Sequence, residues 1–213
     1  NRSSDKTIRS KVSIEKSIDI LKNLKKDLKI PITSDVHETI QIDKLESLLD
    51  VIQIPAFLCR QTDLIRVAAQ TKKIVNVKKG QFLSHQEIEN VILKIENQNN
   101  KKILITERGN SFGYNYLVND FKGVHFMKQF GYPIIFDSTH SVQLPGGMGI
   151  KSGGAREYVV PLSKSAASLR LAGFFIETHP NPEKALSDGP NMMHLHNMPK
   201  LLNSINKINK AAK

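Results

Sequence analysis

Short apolar runs rich in β-branched residues alternate through this chain with longer amphipathic stretches, and polar side chains gather just after each run. The runs Ile30–Ser34, Val51–Ile54, Ile74–Val77, Ile103–Thr106, Ile134–Phe136 and Gly173–Ile176 read as strands. The stretches Ser13–Leu28, Thr39–Leu49, Asp63–Gln70, Gln86–Glu96, Arg156–Leu171 and Pro199–Lys210 carry a helical period. In the first of them Ile14, Ile18, Leu21 and Leu28 share one face. Ser84 and Glu87 have capping-box spacing, and Pro199 occupies a first-turn position where its missing N–H costs nothing. Strands that alternate with helices imply parallel βαβ units.

Two architectures use such units, an open doubly wound sheet and a closed (β/α)8 barrel. No glycine-rich dinucleotide turn follows the first strand. Asp35 and His37, Gln53, Lys78, Glu107 and Arg108, Asp137 and His140, and Glu177 and His179 fall just past the C-terminal ends of successive strands. A barrel brings those ends to one mouth, whereas an open sheet spreads them along a line. The expectation is therefore an α/β protein with a TIM barrel fold, a single (β/α) barrel domain over residues 1–213. Its first strand, first helix and most of its second strand would precede Asn1, with Asn1–Ser4 as the end of that second strand.

Composition narrows the partners. The formal charge is +11, but the lysines are spread over helical segments (Lys22, Lys25, Lys26, Lys29) and the tail (Lys207, Lys210, Lys213). Aromatic-basic interleaving, a recognition helix and zinc spacing are all missing, so no nucleic acid is expected as a partner. A basic chain does favour anionic substrates. Apolar runs such as 172–176 are far too short to cross a bilayer, and no secretory leader is visible, so a cytoplasmic protein without membrane contact is expected. The single cysteine, Cys59, fits a small buried side chain and a reducing compartment.

Several residues carry chemistry. Lys78 and Arg108 follow neighbouring strands and would both face the mouth, with Lys79 and Glu107 directed outward or paired on the rim. Two inward cations suit a small anionic ligand, or else a salt bridge with Glu107 or Asp137. His140, Glu177 and Asp188 combine an imidazole with two carboxylates, a set that binds a divalent metal or moves a proton, though each is also a common loop residue. Gly146–Gly147 and Gly153–Gly154 flank the 148–152 segment and suit a lid, an anion-binding turn or an ordinary loop. The run from Thr178 to Pro182 is stiffened by two prolines and leads to Asp188-Gly189-Pro190, a shaped loop that carries a carboxylate.

Longer stretches add specificity. They include Asn-Arg-Ser-Ser at 1–4, Thr-Ser-Asp-Val-His-Glu at 33–38, Gln-Ile-Pro-Ala-Phe-Leu-Cys-Arg-Gln at 53–61 and Asn-Val-Lys-Lys-Gly-Gln-Phe-Leu at 76–83. Further on stand Thr-Glu-Arg-Gly-Asn-Ser-Phe-Gly at 106–113, Phe-Asp-Ser-Thr-His-Ser-Val-Gln-Leu-Pro-Gly at 136–146, Glu-Thr-His-Pro at 177–180 and Ala-Leu-Ser-Asp-Gly-Pro-Asn-Met at 185–192. In this order they resemble the 3-deoxy-D-manno-octulosonate 8-phosphate synthase (2-dehydro-3-deoxyphosphooctonate aldolase) family over nearly the whole chain.

That resemblance implies a (β/α)8 barrel, usually a homotetramer. The implied enzyme is a transferase that condenses phosphoenolpyruvate with D-arabinose 5-phosphate and water. Its product is the eight-carbon sugar acid phosphate of lipopolysaccharide (KDO) biosynthesis. Position by position, Lys78 and Arg108 would hold phosphoenolpyruvate, helped by Gln53 and the backbone at Ala56. Asn1 and Arg2 would bind the pentose phosphate, and Arg60 would reach its phosphate across a subunit interface. Asp35 would lie near the sugar hydroxyls, and His140, Glu177 and Asp188 would surround the reacting carbon and its water. An essential lysine of the family belongs before Asn1.

The family has a metal-dependent and a metal-independent branch, which differ by a cysteine or an asparagine on the first strand. Pro190 after Ser-Asp-Gly resembles the metal-independent branch, so no cofactor is expected. A divalent metal on His140, Glu177 and Asp188 belongs to the other branch. Two departures stand out: Ser10-Lys11-Val12 replaces a glycine-rich turn, and His85 stands where proline is common. The alternatives are the sister heptulosonate 7-phosphate synthase, which uses erythrose 4-phosphate, and an inactive sugar-phosphate-binding remnant.

Overall fold

The computed structural model describes residues 14–113, 115–148 and 151–212. Asn1, Arg2, the Ser10-Lys11-Val12 departure and the tip of the glycine-flanked segment lie outside them. The chain is mixed α/β. Its main strands are β1 (Thr33–Asp35), β2 (Val51–Ile54), β3 (Ile74–Lys78), β4 (Ile103–Glu107), β7 (Ile134–Asp137) and β10 (Gly173–Phe175). They form one hydrogen-bonded sheet in chain order, β1-β2-β3-β4-β7-β10. The pairings with described register, β1 with β2, β2 with β3 and β7 with β10, are all parallel. A doubly wound sheet reverses its strand order at a switch point, and this order never reverses.

The chain gathers into two compact units, one ending at Ile105 and the other beginning at Thr106. In the first unit, helices α1 (Ile14–Leu28), α2 (Thr39–Leu45), α3 (Thr62–Gln70) and α4 (Ile88–Glu96) alternate with β1 to β3. Its core is aliphatic. Ile42, Ile52, Ile54, Ile65, Ala68, Val75, Val77, Ile88 and Ile95 are all essentially inaccessible. Val75 and Val77 alternate with Asn76 and Lys78, so one face of β3 is apolar and the other polar. Truncation of Ile65 to Ala is expected to cost about 2–5 kcal/mol by opening a cavity in this core, read as a lower urea midpoint with the slope unchanged.

Local signals place the helices well. Ser84 and Glu87 form the reciprocal box: the Ser84 N–H donates to Glu87 Oε2 at 3.0 Å, and the Glu87 N–H donates to Ser84 Oγ at 3.3 Å. Helix α2 stops at Leu45, earlier than its apolar pattern suggests. Helix α1 has no fully buried residue: Ile14, Ile18 and Leu21 are half-buried, and Leu28 is exposed. It is tethered by Lys25, whose Nζ donates to the Leu48 carbonyl at 2.8 Å and to Asp50 Oδ1 at 3.1 Å. The Ile32 N–H and Lys25 together hold the Asp50 carboxyl below its usual range.

The second unit adds elements that the periodicity did not announce. Helix α5 (Phe121–Met127) is short and contains Gly123, and Asp120 caps it by accepting the Lys122 N–H at 3.0 Å. A small hairpin pairs β5 (Asn110–Ser111) with β6 (Leu117–Val118). The glycine-flanked segment is also a hairpin, β8 (Gln143–Met148) antiparallel to β9 (Lys151–Gly154), with a register shift between Leu144 and Met148. Helix α6 (Val159–Ala167) is shorter than its predicted span, and Arg156–Tyr158 form a single 3₁₀ turn before it. Strand β11 (Thr178–His179) lies parallel to β12 (Met193–His194), and α7 (Met198–Ala211) closes the unit. Val142, Val159, Ala167, Met193, Leu201 and Ile205 make its core.

Candidate active site

In the first unit the polar residues form a ladder across three strands. Asp35 is in register with Gln53, and Gln53 with Asn76, so their side chains share a face. Gln53 Nε2 donates to Asp35 Oδ1 at 2.6 Å, and Asn76 Nδ2 donates to Gln53 Oε1 at 2.8 Å. The amide therefore orients the Asp35 carboxylate. Asn76, which sequence reasoning passed over, in turn fixes the amide.

Lys78 ends β3 on the same face, two residues beyond Asn76, and only 1% of it is accessible. Ala56 is buried on a 3₁₀ turn, Ala56–Leu58, and Arg60 beyond that turn is exposed. Cys59 is buried as expected, and burial pushes its thiol pKa up.

The expectation that Lys79 and Glu107 lie on the rim is overturned, since both are fully buried at 0% exposure. Lys79 turns into the chain that follows it and donates to the Gly80 and Leu83 carbonyls at 3.3 and 2.9 Å. Glu107 accepts the Gly109 N–H at 2.6 Å, and Gly109 has a φ of 92° that curls the backbone around the carboxylate. Backbone groups of the following turn thus partner each side chain locally.

The second unit holds a denser constellation. Asp137 ends β7 and is fully buried. Its Oδ1 accepts the Thr139 and His140 N–H groups at 3.1 and 2.8 Å, and its Oδ2 lies 2.7 Å from His140 Nδ1. An ionised carboxylate only accepts, so Nδ1 carries the proton toward Asp137 and Nε2 faces the other way. There Nε2 lies 3.5 Å from Glu177 Oε1. The Glu177 N–H donates to Thr139 Oγ1 at 2.7 Å, which fixes the backbone just past β10.

Asp188 arrives from the loop between β11 and β12, in a left-handed conformation with φ 53°. Ligand atoms of His140, Glu177 and Asp188 all lie within 4.8 Å of one another. This nitrogen-and-carboxylate set, with the imidazole held from behind by Asp137, fits a divalent cation. It equally fits a site that orients water and moves protons.

Arg108 joins the constellation through a residue that was not singled out from the sequence. Its Nη2 donates to the His140 carbonyl at 3.3 Å and to Gln143 Oε1. Gln143 Nε2 then donates to Asp188 Oδ1 at 2.7 Å. Gln143 thus couples a buried cation to a carboxylate 45 residues away in sequence. The only sequence signal was its place three residues after His140, inside the Phe136–Gly146 stretch.

A carboxylate-backed imidazole, two further carboxylates and a buried guanidinium thus form one linked cluster just past the ends of these strands. The sequence profile of the DAHP synthetase I family matches residues 5–213, and the chain belongs to that family. Among its relatives, a protein of Brucella abortus (strain S19) named 2-dehydro-3-deoxyphosphooctonate aldolase is 48% identical over 213 residues, covering 100% of this chain and 76% of the relative. One of the same name from Geotalea daltonii is 47% identical over 100% of this chain and 78% of the relative. One from Geobacter sp. (strain M21) is 51% identical over 195 residues, covering 92% and 71%.

Proposed function

We propose that this chain is a 2-dehydro-3-deoxyphosphooctonate aldolase, a transferase. It condenses phosphoenolpyruvate with D-arabinose 5-phosphate and water to give 3-deoxy-D-manno-octulosonate 8-phosphate and phosphate. The relatives' shared name supports the reaction. The observation that carries it to particular residues is the His140, Glu177 and Asp188 cluster, tied through Gln143 to the buried Arg108. The full fold of this reading is the (β/α)8 barrel, and the chain-order sheet supports it.

In this reaction the enol carbon attacks the sugar aldehyde, forming the new carbon–carbon bond. Positive charge develops on the carbon that bears the phosphate, and water adds there. The phosphate then leaves with its bridging oxygen as that carbon–oxygen bond breaks. Lys78 and Arg108 hold the phosphate and carboxylate of phosphoenolpyruvate, with Gln53 and the Ala56 backbone seating it. Asn1, Arg2 and Arg60 hold the pentose phosphate, Arg60 from a neighbouring subunit of a homotetramer, and Asp35 meets the sugar hydroxyls. Glu177 and Asp188 stabilise the developing charge and orient the water, and His140 moves its proton.

The proposed enzyme is cytoplasmic, and no helix among the described residues is long and apolar enough to cross a membrane. Pro190 supports a metal-free site. Were a divalent cation to bind, His140, Glu177 and Asp188 would hold it, and it would add positive charge beside the reacting oxygens.

The test is phosphate release from phosphoenolpyruvate on addition of each sugar phosphate, with and without a chelator. Release with arabinose 5-phosphate that ignores the chelator, and none with erythrose 4-phosphate, is the expected result. Release only with erythrose 4-phosphate would transfer the chain to the sister synthase. Loss on chelation would keep the condensation and reject the metal-free site. A folded protein silent with both sugars would remove the catalytic assignment.

A further inference from the structure

Asp188 takes part in the site from a backbone conformation that a non-glycine residue enters at some cost, so the surrounding structure must hold it there. Part of the hold is local. The Asp188 carbonyl accepts the Asn191 and Met192 N–H groups at 2.8 and 3.1 Å. Gly189 is required next, because a Cβ there would sit 2.4 Å from the Pro182 carbonyl oxygen. These bonds shape the turn but do not fix where the turn sits.

Two contacts do fix it. Arg156, in the 3₁₀ turn that follows β9, sends Nη2 to the Gly189 carbonyl at 2.7 Å, across 33 residues. Its Nη1 donates to Glu183 Oε1 at 2.9 Å and lies 3.1 Å from His194 Nε2. One guanidinium therefore spans the start, middle and end of the loop that presents Asp188. Two residues earlier, Gly154 lies against the side chain of Asn191, which is fully buried. A Cβ on Gly154 would fall 1.6 Å from the Asn191 amide oxygen. The end of the hairpin and the Asp188 loop thus meet at two neighbouring points, one a hydrogen bond from Arg156 and the other close packing of Gly154 on Asn191.

We infer that Arg156 is a positioning residue that clamps the Asp188 loop to the base of the β8–β9 hairpin and keeps the Asp188 carboxylate in place beside His140 and Glu177. The inference rests on the proposed role of Asp188, although the clamp itself does not. Arg156 touches Gly189 and not the Asp188 carboxylate, so it acts through the backbone. Its ion pair with Glu183 is on the surface, with Glu183 more than half exposed, and contributes little beyond aiming the guanidinium. Arg156 also draws the Glu183 carboxyl below its usual range.

The test compares Arg156→Met, Arg156→Lys and Glu183→Gln with the parent protein, by amide hydrogen exchange and by steady-state kinetics. In Arg156→Met, exchange at Asn191 and Met192 is expected to rise by about tenfold or more, with α3 and α4 unchanged. Its kcat should fall by about 10- to 100-fold while KM for phosphoenolpyruvate stays within about threefold, since its phosphate and carboxylate contacts are untouched.

Arg156→Lys, which can still reach one carbonyl, should recover part of both effects and serves alone if the Met variant does not fold. Glu183→Gln should leave both near the parent values. Unchanged exchange at Met192, or raised exchange with an unchanged kcat, would overturn the clamp. So would a Glu183→Gln variant as damaged as Arg156→Met. If the parent protein is inactive with both sugars, the condensation fails, and the exchange rates alone decide the clamp.

Discussion

Replacement of Arg108 by Met is expected to lower kcat/KM for phosphoenolpyruvate by about a thousandfold, the largest single effect predicted for this chain. Two losses combine. On the proposed role of Arg108, the substrate loses a planar, two-pronged donor that matches a carboxylate or phosphate. The site also loses a brace, because Arg108 Nη2 donates to both the His140 carbonyl and Gln143 Oε1. Gln143 is then free to turn, and with it goes one of the bonds that orient Asp188. Arg108→Lys separates the two losses. It keeps the charge but not the fork, so it should fall between Met and the parent protein, with a raised KM. Steady-state kinetics on both variants checks this, and a Met variant within fivefold of the parent would remove Arg108 from the site.

Asp137→Asn should reduce kcat by about 10- to 100-fold, the range for residues that orient a functional imidazole from behind. The physical cause is the tautomer. Asp137 Oδ1 takes two backbone N–H groups, and Oδ2 takes the Nδ1 proton of His140. An Asn that keeps its oxygen on the backbone donors presents an NH₂ group to Nδ1. Nδ1 must then accept, and the proton moves to Nε2, the nitrogen that faces Glu177. His140 can no longer take a proton from the side where water would stand.

Removal of the buried charge also weakens a fully satisfied network, for an expected loss of about 2–4 kcal/mol. Denaturant melts give the second number, and nitrogen chemical shifts of His140 report the tautomer directly. A variant with parental kcat and an unchanged tautomer would show that Asp137 is only structural.

Much of this arrangement was visible in one dimension because it is local. Strand ends, helix faces and the Ser84–Glu87 box depend on residues within one turn or one strand of each other. Their spacing alone placed β2 without change and β3 and β4 within a residue of their ends. The same spacing led to His140 and Glu177, the Asp188-Gly189-Pro190 loop supplied Asp188, and the structure brings their ligand atoms together. Helix α5 was missed because a seven-residue segment with a glycine inside leaves too short a period to read. Lys79 and Glu107 were expected to point outward or pair on the rim because each neighbours a residue, Lys78 or Arg108, that was read as facing the mouth. The turns after them supply backbone partners that no hydropathy pattern records.

By itself, then, the sequence determined the order of the six main strands, the polar residues at their ends and the family. Each of these is written in neighbouring residues or in contiguous motifs. Tertiary structure alone decided how the site is held. Gln143 meets Asp188 across 45 residues, Arg108 meets Gln143 across 35, and Arg156 meets Gly189 across 33. Contacts over such separations leave no periodicity along the chain, because loop geometry and packing, not spacing, bring the two ends within hydrogen-bond reach.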